Sequence, residues 1–262
     1  MTSTLVVQSY RSEDIEPWIS TCLDSARTWA ARCGFDYRFV GDEIFELLPD
    51  AYRHVAAGRL PVLTDLGRLL LIRSALDKGY DRAIWVDADV LVFGGDMELP
   101  SGAGYAFCRE IWVQPAAGKP ESARLQVYRN VHNAICLFER ENAFLDFYIH
   151  ACERIVGAAG GSMPNQIVGT KFLTALHNMM RLPLIETVGM FSPLVIRDLV
   201  NGGGPALQRL MEETRRPLAA ANLCSSLAGG HADGVDLSGS VMAEACARLR
   251  EGGLPSGSPA RP

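Results

Sequence analysis

The sequence predicts an α/β fold in which helices cover both faces of a mostly parallel central sheet. Two observations lead to this prediction. Over residues 1–93, short apolar stretches alternate with longer segments whose apolar residues recur every three or four positions, the pattern of strands alternating with amphipathic helices. The stretch Ala83–Val86 is apolar at every position, as expected for a strand buried on both faces of a parallel sheet.

The first strand–helix–strand unit is predicted near the N-terminus. Leu5–Ser9 predicts a strand, and Ile15–Cys33 predicts a helix with an apolar face. Gly34 ends that helix, because glycine readily adopts the left-handed conformation of a helix cap. Phe35–Val40 then predicts a second strand. Such a unit implies a parallel sheet with covering helices.

A second unit follows with the same order. Pro61–Lys78 predicts a helix with a broad apolar face, and Gly79 ends it. Ala83–Val86 predicts the next strand, and the apolar stretch Val90–Phe93 comes soon after. The repeated order supports one continuous sheet rather than separate small domains.

Beyond Gly94 the alternation is weaker. The predicted elements there are the strands Tyr105–Cys108 and Ala134–Phe138 and the helices Glu141–Ile155 and Gln166–Met180. A single domain is predicted over residues 1–250, in two halves of about residues 1–93 and 94–250. Residues 251–262 are rich in Gly, Pro and Ser and predict a disordered tail.

Composition excludes several classes of function. The formal net charge is -5 and the isoelectric point is about 5.6, so no basic surface is expected for nucleic acid. The N-terminus lacks the charged and then apolar segments of a signal peptide, and no apolar stretch is long enough for a membrane helix. The seven scattered cysteines include no CxxC pair, which favours reduced thiols in a cytoplasmic protein over a zinc site.

The segment Asp87-Ala88-Asp89 carries the main chemical signal. Two carboxylates directly after an apolar strand lie at its carboxyl end, where open α/β sheets bind ligands. Burying two negative charges is costly unless a cation compensates them, and Mg²⁺ or Mn²⁺ prefers oxygen ligands. The alternative is a solvated acidic turn or a pair of helix-capping residues. Apolar stretches on both sides favour the metal site.

The stretch LTDLGRLLLIRSALDKGYDRAIWVDADVLVF resembles the DXD region of GT-A glycosyltransferases, the nucleotide-diphospho-sugar transferase superfamily. It is similar in particular to bacterial capsular and lipopolysaccharide transferases and to Golgi mannosyltransferases. In those proteins an Asp-x-x-Arg lies on the helix before the DXD strand, and Asp65 and Arg68 match it here. The resemblance covers about residues 4–180 and is most specific over residues 61–93. It implies that about residues 1–93 are the nucleotide-binding half and that residues 94–250 are the acceptor half and the C-terminal loop.

The resemblance implies a GT-A fold, a Mn²⁺ or Mg²⁺ ion and a UDP- or GDP-sugar donor. It implies transfer of the sugar to a hydroxyl of a carbohydrate or glycoconjugate acceptor, in bacterial polysaccharide or glycoconjugate synthesis. Retention of the anomeric configuration is the preferred outcome. The resemblance identifies no catalytic base.

The same resemblance implies roles for individual residues. The residues implied to bind the nucleotide-sugar are Ser9, Tyr10, Arg11, Asp65, Arg68, Asp87, Ala88 and Asn133. Asp89 is implied to ligate the metal directly, and Asp87 to contact the metal, the ribose or both. A histidine near the C-terminus often completes the metal site, which makes His231 the candidate ligand and His177 a weaker one. Gly169-Thr170 resembles a Gly-Pro segment that opens an acceptor-side helix, with Thr in place of Pro.

Each of these residues also has an ordinary structural interpretation. Asp65 and Arg68 at i,i+3 can form an ion pair on a helix surface. Tyr10 can be an aromatic residue at a strand end, and Asn133 can cap or turn the chain. His231 can be a solvated residue of a flexible loop.

The segment Ala219–Gly239 predicts a lid. It is rich in small residues and glycine and offers little apolar surface for anchoring. Such a segment can order over a bound diphosphate and exclude water. The alternative is a mobile surface loop without a role in the site.

Other classes of protein fit less well. A haloacid-dehalogenase-like phosphatase also has a DxD after a strand, but usually near its N-terminus. A non-catalytic sugar-nucleotide-binding protein would show the same binding residues and stays open. No GxGxxG follows the first strand and no Gly-x-Ser-x-Gly is present, which argues against a Rossmann dehydrogenase and an α/β-hydrolase.

Overall fold

The structure is a computed structural model that describes residues 2–95, 97–100, 102–116, 124–160 and 162–254. Within these residues a six-stranded sheet has the order β2 (Asp36–Val40), β1 (Thr4–Ser9), β3 (Arg82–Val86), β6 (Leu125–Glu139), β5 (Tyr105–Pro115) and β7 (Leu184–Ile185). Only β6 runs antiparallel to its two neighbours, and the other pairs are parallel. The predicted α/β fold with a mostly parallel sheet is confirmed.

The helices are α1 (Pro17–Arg32), α2 (Asp50–Val55), α3 (Leu60–Asp77), α4 (Ala143–Ala159), α5 (Thr170–Met179), α6 (Pro193–Val200), α7 (Pro205–Glu213) and α8 (Gly239–Gly252). Short 3-10 helices span Asp42–Leu47 and Ser225–Leu227. Alternation along each strand produces two apolar faces. In β3, Trp85 packs into the core beneath α3, α4 and α5, whereas Ile84 packs into the core beneath α1. Helices therefore cover both faces, as predicted.

A smaller sheet lies beside the main one. It has the order β4 (Val90–Val92), β9 (Ala220–Asn222) and β8 (Val188–Met190), and a short hairpin pairs β10 (His231–Ala232) with β11 (Val235–Asp236). All three residues of β9 are buried. The first part of the predicted lid is therefore a buried strand. Its small alanine residues, which suggested a loop, occupy the central strand of this sheet.

The second half contains more regular structure than its composition predicts. Strands β5 and β6 are longer than predicted, and α5 begins four positions after Gln166, at Thr170. Helices α6, α7 and α8 follow Leu182 without a matching prediction, because glycine and proline stand at their ends. Helix α8 continues to Gly252, into the predicted tail, and residues 255–262 lie outside the described residues.

Strands β5 and β6 form a long ribbon that extends beyond the sheet. Their register shifts between Phe107, which pairs with Cys136, and Cys108, which pairs with His132, so Asn133–Ile135 have no partner on β5. Since Val86 at the carboxyl end of β3 pairs with Ile135, residues 108–115 and 125–132 project past that end. These two segments are called the ribbon below. The bulge re-aims the β6 backbone toward the carboxyl end of β3.

Candidate functional site

The two aspartates lie where the sequence predicts, at the carboxyl end of β3 and before β4. The Asp87 backbone N–H donates to the Ala134 carbonyl at 2.7 Å. The Asp87 carbonyl accepts from Gln8 Nε2 at 3.2 Å, and Gln8 is fully buried. Contacts from β1 and from the bulge of β6 therefore fix the backbone of this turn.

A buried ion cluster joins helix α3 to this turn. Arg68 lies 3.2 Å from Asp65 Oδ1 through one terminal nitrogen and 3.1 Å from Asp87 Oδ1 through the other. Asp65 and Arg68 are each 5% exposed, so they do not form a helix-surface ion pair. The guanidinium also lies 5.2 Å from the centroid of the Trp85 ring, whose Nε1 donates to Asp87 Oδ1 at 2.6 Å.

Asn133 completes the cluster from the bulge of β6. Its Nδ2 donates to Asp65 Oδ1 at 2.8 Å, and its carbonyl accepts from Arg68 at 2.7 Å. The Asn133 side chain is therefore a buried link between β6 and α3. Gly169 lies directly against Asp65, because a Cβ at position 169 would be 2.8 Å from Asp65 Oδ2.

The cluster has more negative than positive charge. Burial, partly offset by Arg68 and strengthened by Asp89, raises the pKa of Asp87 to about 7. Burial also raises the pKa of Asp65, against the effects of Arg68 and Asn133. Arg68 thus pairs with two carboxylates, Asp65 and Asp87, while Asp89 adds a third negative charge within reach of Asp87. A bound cation would relieve this imbalance.

Asp89 turns away from Arg68 toward the C-terminal part of the chain. Its Oδ1 accepts from Asn222 Nδ2, and its Oδ2 accepts from the Ser225 backbone N–H, both at 2.7 Å. Between these partners, Cys224 has φ of 54°, a left-handed conformation that is uncommon for a residue with a side chain. This turn points the Ser225 N–H at the carboxylate.

The end of β1 lies on the other side of the turn. The Tyr10 hydroxyl donates to Glu16 at 3.0 Å, and Arg11 pairs with the same carboxylate at 2.5 Å. Burial raises the pKa of Tyr10 to about 12, with contributions from Glu16 and Asp89. Tyr10 is therefore within electrostatic reach of Asp89. Ser9 Oγ instead donates to the Gly41 carbonyl at 3.4 Å.

The histidines predicted to complete the metal site lie elsewhere. His231 is exposed at the start of β10, and His177 Nδ1 accepts from the Leu182 backbone N–H at 3.0 Å. The described part of the chain contains no group of three or more His, Cys, Asp or Glu residues that could hold a metal. His231 as a metal ligand stays a prediction, and it requires the β10–β11 hairpin to move.

The donor set nevertheless fits a hard divalent cation. Mg²⁺ is commonly held by one or two protein carboxylates, with the remaining oxygens coming from substrate phosphates and water. Asp87 and Asp89 supply carboxylate oxygens at the mouth of the site, and the excess negative charge of the cluster favours a cation there. A third protein ligand is not needed for such binding.

Several residues around the site are absent from the sequence-based prediction. They are Trp85, Glu110, His132 and Asn222. Glu110 lies beyond the predicted strand Tyr105–Cys108, and Asn222 lies within the segment predicted as a lid, so the sequence singled out neither. Trp85 and His132 carried no signal either, because their roles depend on neighbours that only the fold brings together.

No protein-family model matches the chain, and no curated protein matches it. Two solved structures are similar in outline. One is described as a glycosyltransferase involved in the glycosylation of the major capsid of PBCV-1, with 10% identity, a TM-score of 0.43, and coverage of 84% of this chain and 93% of that one. The other is the galactosyltransferase LgtC in complex with donor and acceptor sugar analogs, with 13% identity, a TM-score of 0.45, and coverage of 93% and 95%. Values this low carry no argument about this chain.

Among the described residues, no helix is both long enough and apolar enough to span a membrane.

Proposed function

We propose that this protein is a metal-dependent glycosyltransferase that moves a sugar from a UDP- or GDP-sugar to the hydroxyl of a carbohydrate acceptor. The observation that carries the proposal is the buried cluster at the carboxyl end of β3. There Asp65, Arg68, Asp87 and Asn133 meet, as the resemblance to the DXD region implies for residues around a nucleotide-sugar.

The cluster explains how the site can be positioned before ligand binds. Arg68 fixes one oxygen of Asp87, and Trp85 donates to the same oxygen. The other oxygen of Asp87 therefore stays available for a metal or a ribose hydroxyl. Asp89 is anchored through Asn222 and Ser225, and each carboxylate oxygen retains a second lone pair for a metal.

Mn²⁺ or Mg²⁺ bound here would neutralise the charge that develops on a departing nucleoside diphosphate. Asp89 would hold the cation directly, and Asp87 would contact the cation, the ribose or both. Tyr10, at the end of β1, would border the nucleotide. Retention of configuration and a role in bacterial polysaccharide or glycoconjugate synthesis belong to the same proposal and rest on the sequence resemblance alone.

The test is release of nucleoside diphosphate from UDP- and GDP-sugars in Mn²⁺, measured by mass spectrometry with and without acceptor sugars. We expect Asp89→Asn to lower the rate by orders of magnitude, because metal stabilisation of charge contributes several kcal/mol to catalysis. Asp77→Asn, an exposed change at the end of α3, is the matched control and should retain the full rate. Near-normal release by Asp89→Asn in excess Mn²⁺ would reject the proposal.

A further inference from the structure

One face of the ribbon carries a row of polar and aromatic side chains that the proposed donor site does not use. In a strand, alternate residues share a face, and paired residues across two strands lie side by side. Residues 108, 110, 112 and 114 therefore share a face with their partners 132, 130, 128 and 126. This surface is called the even face below.

The opposite face of the ribbon packs largely against the core. Ile111 and Val113 pack into the core formed with α6, α7 and α8, and Arg129 pairs with Glu213 of α7. The even face is more open toward its tip, where Tyr128 is 39% exposed and Gln126 is exposed. The opposite face is thus mainly structural, with Arg129 exposed at its edge, whereas the even face is buried at Cys108 and Glu110 and accessible at its outer end.

The inner end of the even face begins at the ion cluster. His132 Nδ1 accepts from the Ala134 backbone N–H at 2.8 Å, and burial together with Arg68 lowers the pKa of His132 to about 3. Burial raises the pKa of Cys108, to which Asp87 also contributes. Both residues are therefore within electrostatic reach of the cluster.

The next pair outward is Glu110 and Asn130, joined by a hydrogen bond of 2.6 Å from Asn130 Nδ2 to Glu110 Oε1. Glu110 is 7% exposed, and no described residue donates to its Oε2. After burial, the groups that raise the pKa of Cys224 are Asp89, Glu110 and Asp87, in that order. Cys224 is therefore within electrostatic reach of both the DXD turn and Glu110.

Aromatic side chains come next along the even face. Trp112 pairs with Tyr128, and Trp112 Nε1 donates to Gln114 Oε1 at 3.0 Å, which holds the indole in one orientation. Along each strand, neighbouring residues of the even face are about 7 Å apart, because they are two positions apart in sequence. The order from the DXD turn outward is thus a carboxylate with an amide, two aromatic rings, and two amides.

We propose that the even face binds the acceptor, and that the acceptor is a neutral saccharide. Aromatic rings stack on the apolar faces of sugar rings, while amides and a carboxylate exchange hydrogen bonds with sugar hydroxyls. The even face contains no Lys or Arg to compensate an anionic group, and Glu110 disfavours one. The proposal rests on the proposed function, since continuity with the donor site makes this surface an acceptor site.

Tryptophan fluorescence can report on this surface directly. The chain has four tryptophans, and Trp18, Trp29 and Trp85 are at most 3% exposed, whereas Trp112 is partly exposed. Titration with lactose, maltose, cellobiose and chitobiose, in the presence of UDP or GDP and Mn²⁺, should give a saturable change with at least one of them. Trp112→Phe should abolish the change.

Two further variants locate the binding surface. Tyr128→Ala keeps the reporter and should weaken saccharide binding by about tenfold, the effect of losing roughly 1.4 kcal/mol. Arg129→Ala, one residue away on the opposite face, should bind as the wild type does. Both variants should keep the stabilisation that nucleotide and Mn²⁺ give the wild type, which separates this proposal from the proposed donor site.

The proposal is overturned if none of the four disaccharides produces a saturable change while nucleotide and Mn²⁺ still stabilise the protein. Equal affinity of Tyr128→Ala and the wild type would also overturn it. A response to glucuronate as strong as that to neutral sugars would contradict the neutral chemistry of the acceptor. Failure of nucleotide and Mn²⁺ to stabilise the wild type would instead reject the proposed function.

Discussion

At the residue scale, one guanidinium organises the candidate site. Arg68 contacts two carboxylates and the Asn133 carbonyl while lying 5.2 Å from the centre of the Trp85 ring. Burial alone would lower the pKa of Arg68, but Asp87 and Asp65 raise it, so the side chain stays charged. The Asp-x-x-Arg pattern pointed to Asp65 and Arg68 from sequence. It did not reveal that Arg68 bridges α3 to the DXD turn, because that contact joins residues far apart in the chain.

Glu110 gives a pH-dependent prediction at the same scale. Burial, only partly offset by Asn130, raises the pKa of Glu110 from 4.5 to about 7. The folded protein then holds this proton more tightly than the unfolded chain, so ionisation lowers the free energy of unfolding as pH rises from about 4.5 through 7. Glu110→Gln removes that loss. The variant should therefore gain stability relative to the wild type as the pH increases from 5 to 8.

Urea denaturation across this pH range measures the difference. Glu46→Gln, an exposed change, is the control and should follow the wild type. A constant offset between Glu110→Gln and the wild type at every pH would show that Glu110 does not titrate in this window.

At the element scale, the main strands and helices of the first half were predictable from their apolar patterns, but the 3-10 helix Asp42–Leu47 and the short helix α2 were not predicted. The elements of the second half were less predictable. The chain after Asn201 is rich in Gly, Ala and Pro, and no helix was predicted there. In the structure Pro205 begins α7 and Gly204 precedes it, which are ordinary positions for these residues at a helix start. The bulge between β5 and β6 had no signal, since it depends on pairing that a single strand does not encode.

Two glycines within helices distinguish the effect of close packing on stability from the effect of helix propensity. A Cβ on Gly67 of α3 would lie 2.8 Å from Ile44 Cγ1, and Ile44 is 1% exposed. A Cβ on Gly157 of α4 would meet no atom within 4 Å. Gly157→Ala should stabilise the protein by about 0.5–1 kcal/mol through helix propensity. Gly67→Ala should destabilise it by about 1–3 kcal/mol through overpacking.

Chemical denaturation of the two variants decides this point. The prediction fails if Gly67→Ala is as stabilising as Gly157→Ala, since α3 and the 3-10 helix at Asp42–Leu47 would then not be in close contact.

At the scale of the whole molecule, the site is formed by distant parts of the chain. The end of β1, helix α3, the DXD turn, the bulge of β6 and the turn after β9 converge at the carboxyl end of β3. Position relative to a strand end could be predicted from sequence for Asp87 and Asp89. The partners of Asp89, Asn222 and Ser225, could not, because β9 lies within a segment whose composition is that of a flexible loop.

The central claim is that Asp87 and Asp89 form a metal-dependent site for a nucleoside diphosphate. Thermal denaturation with UDP or GDP, with and without Mn²⁺, tests it most directly. A ligand at a hundredfold excess over its Kd stabilises the folded state by about 2.7 kcal/mol, which corresponds to roughly 5–10 °C in Tm for a chain of this size. We predict an increase of this order for UDP or GDP only when Mn²⁺ is present, and its loss in Asp89→Asn. Unchanged Tm with both nucleotides and Mn²⁺, or equal stabilisation of Asp89→Asn, would contradict the claim.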